Sequence, residues 1–296
     1  MFATTRILAL ILPMAMAVAA QSREPGPVRW TPPALSSSDY ESSASFTADG
    51  REVYFMRADP GFRHYAILQA RCEADGWSVP TPVSFAAPSP AMDADPFVTP
   101  DGRRLYFIST RHAPGGEDFD IWFVDRQADG AWGPAQRLPA PINSSASELL
   151  PRLDGAGNLY FGSARDGSAG GGDIYRARPD PGQPSGWQVE ALPAPINSAS
   201  MEYEGEISAD GSRMVVVANR EGRSHLYLMR RSYEGWIEAG RLPGRTDMFQ
   251  VGPTLSPKGE RLLFAQADGD RSGELFLLDL VPDITENWPP KCPAGR

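Results

Sequence analysis

Apolar and polar residues alternate along this chain in short runs, and the runs return at a nearly fixed spacing. Five times the sequence writes a β-rich run, a tight turn and a second β-rich run. The copies read SFTADGREVYF at 45–55, FVTPDGRRLYF at 97–107, RLDGAGNLYF at 152–161, ISADGSRMVV at 207–216 and LSPKGERLLF at 255–264. Alternation with period two turns one face of each run toward a core, and an Asp-Gly or Lys-Gly pair between two such runs predicts a hairpin. The third copy is irregular: Asp154-Gly155 is followed by a second glycine, Gly157, so a wider turn is expected there.

After each hairpin come a loop and a third run, YAILQAR at 65–71, DIWFVDR at 120–126, DIYRAR at 173–178, HLYLMRR at 225–231 and ELFLLDL at 274–280. A tryptophan follows each of them, at Trp77, Trp132, Trp187, Trp236 and Trp288, and is expected to open a fourth strand. The last residues of the second runs, Phe55, Phe107, Phe161, Val216 and Phe264, stand 48 to 55 residues apart. Four antiparallel strands repeating at that spacing predict an all-β β-propeller, because one such sheet cannot bury both its faces alone and stacks on its neighbours around an axis. A β-sandwich would not repeat so regularly. The phrase LPAPINS, at 138–144 and again at 192–198, belongs to the same unit, just ahead of an innermost strand.

The pattern SPDG-xx-LYF, then DIY, a tryptophan, LP, INS and an acid resembles the WD-like repeat of the TolB-like propellers over residues 30–280. TPDGRRLYFIST with DIWFVDR, and GNLYFGSAR with GGGDIY, are its best copies. The resemblance implies an exported protein that docks a partner on one face of the ring. It does not by itself imply a function, because this fold hosts binding scaffolds and enzymes alike. A separate domain ahead of the propeller, as TolB has, is not expected, so a part in TolB's own system is not carried over.

A ring leaves two open sheet edges unless both ends of the chain share a blade. Trp30, in VRWTPPALSS, has the Trp-then-proline pattern of the fourth strands, so the N-terminal strand is expected to complete a fifth blade. Trp288 competes for that position, and six blades are the alternative. Either way the C-terminal tail ends beside the first blade, where Cys72 closes a third strand, and a Cys72–Cys292 disulfide is expected to staple it. The divisions are a signal peptide at 1–20, the propeller at 21–281 and a tail at 282–296. The signal reading rests on one cation, Arg6, then an apolar run from Ile7 to Ala20 too short to span a bilayer, with cleavage expected near Ala20/Gln21. A periplasmic or secreted monomer follows.

Net charge is −9 with no basic cluster, which leaves affinity for nucleic acid or anionic lipid without an electrostatic source. Histidines His64, His112 and His225 fall in different blades, and no pair has a metal-ligand spacing. GSAGGGD lacks the Lys-Ser/Thr and helix of a phosphate loop, and no G-x-S-x-G elbow is present. Arg111, Arg165 and Arg220 are expected to pair with Asp120, Asp173 or nearby acids.

The repeat puts Glu41, Asp93, Glu148, Glu202 and Gln250 at one equivalent position at the channel mouth. Such a ring either anchors its own crossing loops or, partly unpaired, binds a hard cation such as calcium or a cationic segment. No other cofactor is implied. Residues that break the repeat near the mouth, Asp95, Tyr203 and Glu204 with Met248 and Phe249, are the candidates for chemistry. The reading is a non-catalytic binding scaffold for an envelope protein or glycan. The alternative is a glycoside hydrolase or lyase using funnel carboxylates.

Overall fold

The computed structural model describes residues 26–269 and 271–292, so the proposed signal peptide lies outside it. Every regular element in it is a strand. The innermost strands are Tyr40–Phe46, Asp93–Val98, Glu148–Leu153, Met201–Ile207 and Val251–Leu255. Each pairs antiparallel with a second strand (Glu52–Ala58, Arg104–Ser109, Leu159–Ser163, Arg213–Asn219, Arg261–Asp268). Third strands follow at Tyr65–Glu73, Asp120–Asp125, Asp173–Pro179, Ser224–Ser232 and Arg271–Asp279. Outer strands are short in the first two blades (Thr81–Pro82, Gln136–Arg137) and longer at Trp187–Ala191 and Gly235–Arg241.

The fifth outer position is filled from the other end of the chain. Val28–Arg29 pairs antiparallel with the last strand, Val28 opposite Leu277 and Arg29 opposite Phe276. Trp288 is no strand residue: it is buried, its ring edge-on to Phe46 at 5.8 Å, with Trp30 on the same ring at 5.6 Å. The outer edge of the fifth blade is already occupied by Val28–Arg29, and the tail runs on to the first blade. There Cys292 is bonded to Cys72, the Cα atoms 5.4 Å apart.

The hairpin turns share one chemistry. In Thr47–Gly50 the glycine N–H donates to the Thr47 carbonyl at 2.8 Å, and the Thr47 hydroxyl accepts from the Glu52 N–H at 3.0 Å. Gly50 has φ 67°, the left-handed conformation that a type I turn with a bulge requires. The third copy is not wider, as the sequence suggested. Gly157 donates to the Asp154 carbonyl at 3.0 Å, and the Asp154 side chain accepts from Asn158 N at 2.9 Å. DGAG is thus a turn one residue shorter than the others, closed by Asp154 N to Asn158 O at 3.1 Å, in which Asp154 replaces threonine and the Gly155 N–H donates to Ala209 O of the next blade at 2.7 Å.

The apolar core lies between sheets. Tyr54, Ile67, Phe85, Leu105 and Phe107 fill the space between the first two blades, and Val215, Leu226, Phe264 and Phe276 that between the last two. Contacts between innermost strands run in chain order and return from the fifth to the first, where the Thr254 hydroxyl donates to Ala44 O at 2.8 Å. In the fourth innermost strand the bulge falls at Tyr203, and the other four carry theirs at one equivalent place immediately after that position. Ser43, Asp95 and Leu150 there have φ of 47° to 52°, uncommon for residues with a side chain and costing about 1–3 kcal/mol each.

Candidate functional site

The equivalent acids lie where the repeat places them, at the start of each innermost strand, and each is bound within its own blade. Glu148 accepts from Ser144 N (3.1 Å), Ser144 Oγ (2.6 Å), Ser163 Oγ (2.9 Å) and Arg165 Nη2 (3.0 Å). Glu202 takes Ser198 N at 3.0 Å and Ser198 Oγ at 2.7 Å, with Arg220 Nε at 3.7 Å. Asp93 accepts from Ala87 N and Arg111 Nη2, both at 2.8 Å. Glu41 accepts from the Ser37 hydroxyl and, at 2.8 Å, from Arg57 Nε. Gln250 donates to Arg245 O at 2.9 Å and faces His225 Nδ1 at 3.3 Å. Burial pushes the Glu41 and Glu148 carboxyls up, and the hydroxyl and arginine donors pull them back.

The arginines therefore pair with these acids: of the partners the sequence offered, Asp120, Asp173 or other acids nearby, it is the nearby acids Asp93, Glu148 and Glu202 that are taken. Asp120 is taken by Arg137 (2.7 and 2.9 Å) and His112 (2.6 Å), while Asp173 accepts from Ala169 N at 3.0 Å. Arg111, Arg165 and Arg220 follow their second strands by one or two residues, whereas Arg57 lies within its own. Arg57, Arg111 and Arg165 lie 4.9–5.6 Å from the rings of Phe55, Phe107 and Phe161, the residues that end the second runs. The same guanidinium groups hold crossing-loop carbonyls at Leu35, Phe85 and Ile142. In LPAPINS, Asn143 donates to Ile121 O and Leu138 O and accepts from Ile121 N, and Asn197 repeats all three bonds with Ile174 and Leu192. The repeated phrase is a loop clip. Among the described residues no group of three His, Cys, Asp or Glu could hold a metal ion.

The residues that break the repeat form a second, deeper layer along the axis. Two positions further on, at the bulge or directly beside it, the chain has Ser43, Asp95, Leu150, Glu204 and Gly252. Asp95 accepts from Ser43 Oγ at 2.7 Å and Leu150 N at 3.2 Å, and Glu204 from Gly252 N at 2.7 Å. Below them Arg152, 1% exposed, donates through Nε to Glu206, whose other oxygen accepts from Leu255 N at 2.9 Å. Three buried carboxylates thus share one guanidinium. Burial raises the Asp95 and Glu206 carboxyls, and burial together with the Asp95 charge lifts Glu204 to about 8. Asp95, Glu204 and Tyr203 are brought together: the Tyr203 ring packs among apolar side chains between the fourth and fifth blades, and burial with the Glu204 and Asp95 charges holds its hydroxyl well above the usual tyrosine range.

Above this layer lies an arc of aromatic side chains at the end where the innermost strands begin. Phe249 stacks on Tyr40 at 5.6 Å, Phe62 lies 4.9 Å from Tyr40, and Tyr65 joins Phe62 (6.4 Å) to Phe119 (6.0 Å). Phe62 has φ 53° and Phe249 is 36% exposed. Tyr40 is fully buried, and its hydroxyl has no hydrogen-bond partner among the described residues.

No protein-family model and no curated protein matches this chain. Among solved structures it is similar to TolB from Acinetobacter baumannii, at 20% identity and TM-score 0.50 over 82% of this chain and 55% of that one. It is similar also to TolB from Agrobacterium tumefaciens, at 16% identity and TM-score 0.52 over 82% and 78%. The fold is that of a TolB-like propeller. An α-L-arabinofuranosidase from Lactobacillus brevis has the same fold, at 12% identity and TM-score 0.53 over 81% and 90% of the two chains. The TolB-like chain spans 55% of the Acinetobacter protein's length. At these identities the likeness concerns the fold alone.

Sequence reasoning found Asp95, Glu204 and Phe249 because they depart from the repeat. It missed Arg152 and Glu206, which the same comparison of copies could have shown: the equivalent positions hold Ser45, Phe97 and Thr254. Phe62 and Phe119 sit in loops of unequal length, where no alignment of copies reaches.

Proposed function

We propose that this TolB-like propeller acts by binding, as an exported scaffold for a protein or glycan of the cell envelope, docked where the innermost strands begin. The aromatic arc of Phe62, Tyr65, Phe119 and Phe249, backed by the buried Tyr40, supports this reading. Three blades contribute to it from loop and strand ends, and rings of this kind offer large, rigid contact area at low conformational-entropy cost. The anchor acids are occupied by their own loops, so recognition is assigned to the arc and not to a cation ring. The test is Phe249→Ser in the full chain: cross-linking in the intact envelope and a thermal-shift screen against envelope glycans should lose the partner, with the melting temperature unchanged. Unchanged capture would sink the reading.

A second reading, glycoside hydrolysis or cleavage by lyase chemistry, has one observation in its favour. Asp95 and Glu204 are a buried pair in which one carboxyl is held protonated near neutrality, the property a general acid needs. Against it, both accept main-chain hydrogen bonds and are nearly covered. Turnover of a glycan that Glu204→Gln abolishes would establish it.

A further inference from the structure

The face opposite the aromatic arc carries a feature that the scaffold reading does not use. Between the hairpin turns of the first two blades lies a cleft of about 570 Å³, bordered by Thr47–Glu52 on one side, Pro100–Gly102 on the other, and Arg71, Cys72 and Arg126. Three arginines thus border it, beside three acids, in a protein whose net charge is −9.

Their local partners are few. Glu52 alone accepts from Arg126 Nη2 (2.6 Å) and the Tyr54 hydroxyl (3.1 Å), with Arg71 Nε at 3.4 Å. Arg126 is set rigidly: its guanidinium lies 4.3 Å from the Trp132 ring, and its buried Nε has no hydrogen-bond partner among the described residues. Arg51 is exposed and has no ion pair among the described residues. Arg71 sits one residue before Cys72, so the disulfide to Cys292 fixes the strand end that carries it.

Two further acids border the cleft, Asp49 and Asp101, and each is bent back into its own turn. Asp49 accepts from Thr47 Oγ1 (2.7 Å) and Arg51 N (3.0 Å), and Asp101 from Thr99 Oγ1 (2.6 Å) and Arg103 N (3.1 Å). They reduce the local positive potential without using the guanidinium donors. Each arginine offers five N–H donors in a planar fork suited to paired oxygens.

We infer that this cleft is an oxyanion site, taking a phosphate or sulfate group carried on a larger ligand, with Arg126 as its fixed floor and Arg51 and Arg71 as clamps. The volume exceeds what one such ion fills, and the remaining wall of Thr47, Ala48 and Pro100 suits a sugar or other neutral body. Charge-assisted, paired hydrogen bonds give such a site its affinity, and salt weakens it because two of the clamps are solvent-exposed.

The experiment is titration calorimetry of the protein with inorganic phosphate and with glucose 6-phosphate at low ionic strength, with Trp132 emission followed in parallel. Saturable binding is expected, weakened about ten-fold or more in R51Q/R71Q, since each lost charge-assisted bond is worth roughly a factor of ten. Both replaced side chains are exposed, so the melting temperature of that variant should match the wild type. Asp101→Asn, which removes a repelling charge, should tighten binding. Tighter binding of the sugar phosphate supports a ligand-borne group, and equal binding supports the ion itself. Absence of heat and of any emission change for both probes to about 10 mM, ten times a weak 1 mM dissociation constant, overturns the inference, as does equal affinity in R51Q/R71Q.

Discussion

Two sets of carboxylates lie on the innermost strands, the second two to four residues further along, and their circumstances are opposite. The outer set, Glu41, Asp93, Glu148 and Glu202, is repeated, and each member has an arginine or hydroxyl donor in its own blade. The axial set, Asp95, Glu204 and Glu206, occurs in two blades only and shares one arginine from a third, Arg152. The difference is one of origin: a repeated blade can repeat an intrablade pair, but charge on the shared axis has to be balanced between blades. What repeats holds the blades together; what does not repeat is where the ring is least compensated and most open to change.

The comparison breaks most sharply at Arg152. Arg152→Ala leaves Glu206 buried without its cation and should cost about 3–5 kcal/mol in urea unfolding, the range for breaking a buried pair from one side. In the outer set, Glu148→Gln keeps the shape but cannot accept charge-assisted bonds from Ser144, Ser163 and Arg165, and a loss of about 1–3 kcal/mol is expected by the same measurement.

Glu204 sharpens the contrast through pH. Its carboxyl is raised in the folded state, so the folded protein binds a proton that the unfolded chain has released above the ordinary carboxylate range. Stability from this group is therefore present at low pH and is lost as pH rises toward about 8, at up to about 1.4 kcal/mol per pH unit. Glu204→Gln should flatten that slope in melting curves taken between pH 5 and pH 8, and should stabilise the protein at the alkaline end, the reverse of Glu148→Gln. An unchanged slope would place the proton elsewhere. The smallest effect belongs to neither set: Phe249→Ser, at the partly exposed end of the arc, should stay within about 0.5 kcal/mol of wild type.

The sequence made the strands, the hairpins and the disulfide readable because the same physical problem, closing and stacking a four-stranded sheet, is solved five times in nearly the same letters. The errors fall where copies stop being comparable. Trp288 matches the fourth-strand tryptophans in order along the chain, yet it packs on Phe46 because Val28–Arg29 already holds that edge. For Arg165 the sequence leaves Asp173 and other nearby acids open, and the fold selects Glu148, 17 residues back across the hairpin. The Arg152–Glu206 pair bridges 54 residues and two blades, a separation at which sequence spacing carries no geometric information.

The pairing of Val28–Arg29 with the last strand also sets a timetable. Arg29 meets Glu274 across 245 residues, so the first strand made has no partner until almost the whole chain exists. Contacts of such separation are slow to form and leave strand edges bare while they wait. A circular permutant joined through the present ends and opened at Thr246–Asp247, in the exposed loop between the fourth and fifth blades, would let every blade, the closing one included, fold from contiguous chain. Its refolding rate, set against that of the natural order, would measure how much delay the closure imposes.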